Sequence, residues 1–237
     1  MMKMEIADLI INVDKKNIKN IHLAVYPPNG RVTLACPENV NDETLRLFVI
    51  SKLGWIRRQR RMLLKKERQS ERKYIDRESH FYLGKKYLLK VYEGEEPIRA
   101  EIRKGFLNLY VRKGSSIKQR EKVINDWYRS QLKNVAEPLF LKWEKKIEVQ
   151  AEEWNVRSMK TKWGTCNTSS KKILLNLELA KKPAKCIEYI VAHELIHLLE
   201  RNHNDRFVAY MDRFMPQWKQ YREELNRMPV AHVEWGY

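Results

Sequence analysis

VAHELIHLLERNHNDRF, residues 191–207, decides the reading of this chain. On an α-helix, residues four apart are rotated by only about 40° and separated by about 6 Å along the axis. His193 and His197 therefore leave one face, close enough to share one small cation. Glu194 stands at the edge of that face and can reach a water on the cation without binding the cation itself. A catalytic zinc needs a third protein ligand and an open position. His203 follows His197 by six residues. A straight helix would carry it about 240° round the axis and about 9 Å along it, out of reach of the other two. The chain must turn back first. Asn202, in the stretch RNHND (201–205), is expected to make that turn, because asparagine tolerates the left-handed conformation of a helix C-cap. Histidine is scarce, six in the chain, yet three of the six fall within these eleven residues.

The flanks support a helix about 184–200. Pro183 and Ala184 suit its opening turn, and Ile187, Ile190, Val191, Leu195 and Leu198 make one side of it apolar. Upstream, WNVRSMKTKW and ILLNLEL read as a strand pair joined by a loop, GTCNTSSKK. Downstream, a second helix starts near Asp205, with Phe207, Tyr210, Met211 and Phe214 as its core face. Pro216 interrupts it, and Trp218, Tyr221 and Leu225 form a last apolar stripe. The tail MPVAHVEWGY carries no readable pattern.

The first forty residues read as strands: IADLIINVD, KNIHLAVY and, after a PPNG turn at 27–30, RVTLACP. Asn41 or Asp42 caps a helix that follows the spacing of Leu45, Phe48, Val49, Leu53 and Ile56. It is expected to run through a basic stretch to about residue 73. Strands return from His80 to Val111, each pair with a Gly-Lys or Lys-Gly turn. Ser115 or Ser116 then caps a long helix with a stripe through Val123, Ile124, Trp127, Tyr128, Leu132, Val135 and Ala136, running past Pro138 to Ile147. The chain thus divides into a β-rich region with a basic helix, 1–115, and a region carrying the histidines, 116–237. No internal repeat is evident.

Composition narrows the classes. An apolar content of 43% excludes a disordered chain. No stretch approaches the ~18 apolar residues of a membrane span, and the first residues lack the pattern of a secretory signal. Cys36, Cys166 and Cys186 are odd in number and far apart, which points to a reducing cytoplasm. The net charge of +17 would attract polyanions. Between Lys52 and Lys73 stand ten Lys or Arg against Glu67 and Glu71, either a solvated helix face or a surface for nucleic acid. No zinc-finger or RNP-like pattern accompanies it.

HELIHLLERNHNDRF, KWGTC at 162–166 and the ILLNLEL strand resemble the YgjP-like (DUF45) family of predicted metal-dependent hydrolases, related to the SprT and WLM zinc metallopeptidases. The resemblance extends over nearly the whole chain. It implies an α+β, zincin-like metallopeptidase domain, with an active-site helix packed on a small mixed or antiparallel sheet. It implies His193, His197 and His203 as metal ligands and Glu194 as general base. Lys162 stands where arginine is common in the family, and Val208 where an aromatic often follows Phe207. The histidine spacing also equals that of metzincins, but Glu200 occupies their glycine position and no Met-turn follows.

The chemistry expected is hydrolysis by a Glu194-activated water on Zn²⁺. Three imidazoles also accept ions such as Ni²⁺ or Mn²⁺. Lys162, Trp163 and Asn176 are the candidates for oxyanion or substrate contact. Trp163 has packing, and Asn176 turn stabilisation, as the alternative role. Cys166 reads as a buried, inert thiol. By resemblance, strand 171–177 or its partner near 156–162 offers an edge to an extended peptide. Two other readings stay open: a metal-dependent nucleoside-triphosphate (pyro)phosphohydrolase, although no Walker-type loop is present, and a nucleic-acid-binding module with a structural zinc, using the basic 52–73 helix. A structural site has no use for Glu194.

Overall fold

A computed structural model describes residues 2–26, 30–65, 72–95, 97–159 and 162–227. The described residues up to Lys65 form one compact unit and those from Arg72 to Arg227 a second. The boundary expected at 115–116 lies inside the second unit, between a sheet and the helix that covers it.

The first unit is a four-stranded sheet and one helix. β1 (Met2–Ile6) and β2 (Leu9–Lys16) are antiparallel, β3 (His22–Tyr26) and β4 (Arg31–Pro37) are antiparallel, and β2 runs parallel to β4, giving the order β1-β2-β4-β3. IADLIINVD, expected as one strand, holds the last residue of β1, a turn and most of β2. Ala7 takes a positive φ of 53° and turns the chain before Leu9. Of the PPNG turn, residues 27–29 lie outside the described residues. Alternate residues Ile11, Val13, Val32, Leu34 and Cys36 are buried against Leu45, Val49 and Ile56 of α1 (Asp42–Lys65). Asn41 caps α1, its Oδ1 accepting from the Thr44 amide at 2.8 Å. The basic helix expected to reach residue 73 is described only to Lys65. Residues 66–71 lie outside the described residues, and Arg72 and Lys73 are not helical. Glu78 explains the change. Its carboxylate accepts from the Lys73 and Tyr74 amides at 2.9 and 2.7 Å and from the Arg72 guanidinium at 3.2 Å, which ties this stretch to the next strand.

The second unit begins with the same plan. β5 (Ser79–Tyr82), β6 (Lys85–Glu93), β7 (Arg99–Arg103) and β8 (Phe106–Val111) pair in the order β5-β6-β8-β7, again with a parallel central pair, β6 and β8. Leu83–Gly84 and Lys104–Gly105 both hold positive φ at the two hairpin turns, the geometry that matches strand twist. α2 (Ile117–Ile147) covers one face. Ser116 closes a capping box with Gln119, an arrangement whose loss costs about 1 kcal/mol. Its buried stripe is Ile124, Tyr128, Leu132, Ala136, Phe140, Trp143 and Ile147, and it passes through Pro138 as one helix.

A small mixed sheet follows. β9 (Glu153–Arg157) runs parallel to β11 (Lys172–Asn176), and β10 (Gly164–Asn167) antiparallel to it, in the order β10-β11-β9. GTCN, expected as loop, is therefore an edge strand, because β11 leaves one side open for it. The LEL of ILLNLEL is not strand but the start of a 3-10 helix (Leu177–Lys181), opened by the Asn176 side chain. α3 (Ala184–Ile196) then packs on α2, β10 and β11, followed by α4 (Asp205–Phe214) and α5 (Trp218–Arg227). The architecture is α+β, with the histidine-bearing helix on a small mixed sheet. Among the described residues no helix is long and apolar enough to cross a membrane. The residues of the tail, 228–237, lie outside the described residues.

Candidate metal centre

α3 is buried on nearly all sides: Cys186, Ile187, Tyr189–Ala192 and Glu194–Ile196 are all inaccessible. Each buried aliphatic side chain contributes roughly 1.5–3 kcal/mol, which fixes the helix as a rigid base. Glu188 ties it to α2, accepting from Trp143 Nε1 at 3.0 Å and Lys142 Nζ at 2.6 Å. The helix stops at Ile196, earlier than the expected 200. Tight turns take over, with the Leu198 amide donating to Leu195 O at 3.0 Å and the Leu199 amide to Ile196 O at 2.9 Å.

That tightening brings His203 round. Asn202, expected to sit in the left-handed region, is not among the positive-φ residues. Its amide instead donates to the Glu200 carboxylate at 3.1 Å. Asn204 then caps α4, its Oδ1 accepting from the Phe207 amide at 3.0 Å. Each of His193, His197 and His203 has a side-chain nitrogen within 4.8 Å of the others. His203 Nε2 and His193 Nε2 lie 2.9 Å apart. The Phe207 ring stands 4.8–4.9 Å from all three imidazoles.

The donor set fits a divalent cation. The Glu200 carbonyl lies 3.0 Å from His197 Nδ1, which favours the tautomer with a bare Nε2 lone pair. All three imidazoles are pushed toward the neutral, ligating form. Burial lowers His193 most, to about 3, helped by the charges its two neighbours would carry and by Arg222. Burial likewise lowers His197 and His203.

Glu194 is 4% exposed. Burial pushes its carboxyl up to about 8, against the opposing pull of Lys162. Its carboxylate lies over Gly164 of β10. A Cβ built at Gly164 would stand 2.5 Å from Glu194 Oε1 and 2.7 Å from its Cγ. Cys166, two residues along β10, is half-buried, and burial together with the Glu194 charge pushes its thiol up to about 11, keeping it a neutral thiol.

The other expected residues divide. Lys162 is exposed and its charge reaches Glu194. Asn176 is buried and fully engaged. Its Nδ2 donates to Met159 O at 2.9 Å and Lys162 O at 2.7 Å, its amide donates to Trp163 O at 2.9 Å, and its Oδ1 accepts from the Glu178 amide at 3.2 Å. It clasps Met159, Lys162 and Trp163. Trp163 is half-buried with Lys182 Nζ 5.4 Å over its ring. Three residues escaped the sequence reading as parts of the site. Phe207, a core-face residue by its helical spacing, is 2% exposed and at the same time borders the three imidazoles. Gly164 was visible only inside KWGTC. Arg222, on α5 and 4 residues beyond Trp218, whose ring it overlies at 5.9 Å, acts on His193 and His203 by charge, and nothing local in the sequence marks it.

The sequence matches the family described as YgjP-like, metallopeptidase domain, over residues 19–228. No curated protein matches the chain. Among solved structures, the chain is similar to the metallopeptidase zymogen abylysin of Pyrococcus abyssi, at 20% identity and a TM-score of 0.36, over 40% of this chain and 99% of that one. It is also similar to the metallopeptidase zymogen jannalysin of Methanocaldococcus jannaschii, at 18% identity and a TM-score of 0.33, over 40% and 92% of the two chains.

Proposed function

The chain belongs to the YgjP-like family of metallopeptidase domains, and on that footing we propose that it is a zinc-dependent peptidase using Glu194 as its base. The observation that carries the reading is one juxtaposition. Three imidazoles converge within 4.8 Å, and the neighbouring carboxylate is buried against Gly164 instead of being turned to solvent.

His193, His197 and His203 would hold the metal. When bound, zinc supplies Lewis acidity, polarising a carbonyl and lowering the pKa of water toward ~7. Glu194 accepts the proton of the attacking water at its carboxylate and passes it to the leaving amine nitrogen. The burial that raises its pKa brings the carboxyl closer to the pKa of the water it deprotonates, which favours transfer of the proton both on and off it. Lys162, within electrostatic reach of Glu194, is the candidate for stabilising the developing oxyanion. Asn176 acts through position, since its side-chain amide protons are donated to the Met159 and Lys162 carbonyls. An extended substrate would lie along β10, the sheet edge that carries Gly164. The strand 171–177 does not offer that edge, because β11 is paired on both sides.

The test is a substrate panel with the zinc-loaded protein: unstructured peptides in one arm, nucleoside triphosphates in the other. New amino termini from the peptides, with the triphosphates intact, are the expected outcome. Phosphate or pyrophosphate release with every peptide uncut overturns the reading.

A further inference from the structure

The two four-stranded sheets share a plan but not a surface. In each, one face packs on a helix. On the other face of the second sheet stand Tyr92, Phe106 and Tyr110, with Lys90, Arg99 and Arg103 among them. The Tyr92 and Tyr110 rings stack at 4.9 Å and 14°. Arg99 lies 3.9 Å over the Tyr110 ring, and Lys90 3.7 Å over Phe106. Tyr92 is 45% exposed. The carboxylate on this face is Glu101, hydrogen-bonded to Tyr110, and Asp76 sits at its rim, accepting from the Val91 amide at 2.6 Å.

The fold does not require these aromatics. The buried pair Leu89 and Leu107 of β6 and β8 corresponds in register to Ile11 and Val32 of β2 and β4. On that alignment, Tyr92, Tyr110 and Phe106 answer to Asp14, Ala35 and Arg31 of the first sheet. The open face of the first sheet keeps one aromatic, Tyr26, with Arg31 5.8 Å over its ring, beside the small or polar Asn12, Asp14, Thr33 and Ala35, whereas the second sheet gathers three aromatics among its cations.

We propose that the open face of the β5–β8 sheet binds single-stranded nucleic acid, with one base stacking on Tyr92 and another on Phe106 as Lys90 leaves that ring for a phosphate, and a further phosphate meeting Arg103. The chemistry is that of a stacking platform in a positive field. Rings accept any base, and cations track the backbone. A duplex hides its base faces and would gain only the electrostatic part. An acidic polypeptide would meet the cations and leave the rings without partners. The proposal requires neither the metal nor hydrolysis.

Fluorescence polarisation of the full chain with labelled oligo-dT and oligo-U, across a series of salt concentrations, tests it. Binding of either strand, tighter than a duplex of equal length and not displaced by polyglutamate, supports the proposal, and the tighter of the two strands identifies the natural class. Tyr92→Ala, at an exposed position, should keep the fold and weaken binding about fivefold or more, and the double variant with Phe106→Ala should weaken it further. Lys90→Gln with Arg103→Gln should reduce the slope of log affinity against log salt by about 1.4. The proposal is overturned if the folded wild type does not bind, if duplex or polyglutamate competes equally, or if the aromatic variants bind as wild type. It is likewise overturned if Arg58→Ala with Arg61→Ala on α1 removes all binding while the sheet variants leave it unchanged.

Discussion

Glu194→Gln is expected to keep its metal and to lose peptide hydrolysis by about a hundredfold to ten-thousandfold. The amide has the shape of the carboxylate, so the packing against Gly164 and the β10 strand survives. The three imidazoles are untouched, and zinc affinity should stay within a few-fold of wild type. What disappears is the group that takes a proton from water and returns it to the amine. The readouts are kcat/KM on a cleaved peptide and metal content after dialysis, measured on one preparation. Retained zinc with wild-type turnover would remove Glu194 from the mechanism. A variant that loses both metal and activity would mean that the carboxylate serves as a ligand.

Gly164→Ala is expected to act on the same carboxylate from the other side. The added methyl would stand 2.5 Å from Glu194 Oε1 and 2.8 Å from its Cδ, closer than such atoms come. Every clashing atom belongs to the Glu194 side chain, from Cγ outward, so the methyl displaces that side chain more readily than it unfolds the strand. A shift of about 1 Å in a reacting group costs on the order of a hundredfold in rate. The expected result is a fall of that size in kcat, with zinc binding and thermal stability close to wild type. Loss of stability without a specific loss of kcat would make Gly164 a packing residue alone. A wild-type rate would show that the carboxylate finds its working position by another route.

The two variants bear on how much of the molecule could be read from its sequence. The cluster of three imidazoles was legible because its geometry is local. The i, i+4 spacing places His193 and His197, and the need to reverse before His203 follows from helix rotation alone. The means of reversal was not legible. Asparagine at 202 fits a left-handed cap by propensity, yet the chain closes through tight turns after Leu195 and hands the capping to Asn204. Gly164 and Phe207 were obscured for another reason. Their contacts with Glu194 and the imidazoles depend on tertiary placement, and a glycine in KWGTC reads equally well as a loop. GTCN became a strand because β11 offered it a partner, a fact that no residue in GTCN encodes. The repeated strand plan was hidden because register and burial recur while side chains do not: Leu107, Leu109 and Val111 stand where Val32, Leu34 and Cys36 do. Alternation of apolar residues recorded the strands but not the likeness between the two sheets. The basic run also read more simply than it folds, since Arg72 and Lys73 are held by Glu78 rather than continuing α1.

Three imidazoles and no fourth protein group are expected to hold a single zinc ion beside Glu194. Anomalous scattering at the zinc edge, from crystals of the wild-type chain grown with zinc, tests it most directly. One peak is expected within about 2.1 Å of a ring nitrogen of each of His193, His197 and His203, with no further protein atom at that distance. A peak elsewhere, or a fourth side chain closing the shell, would contradict it.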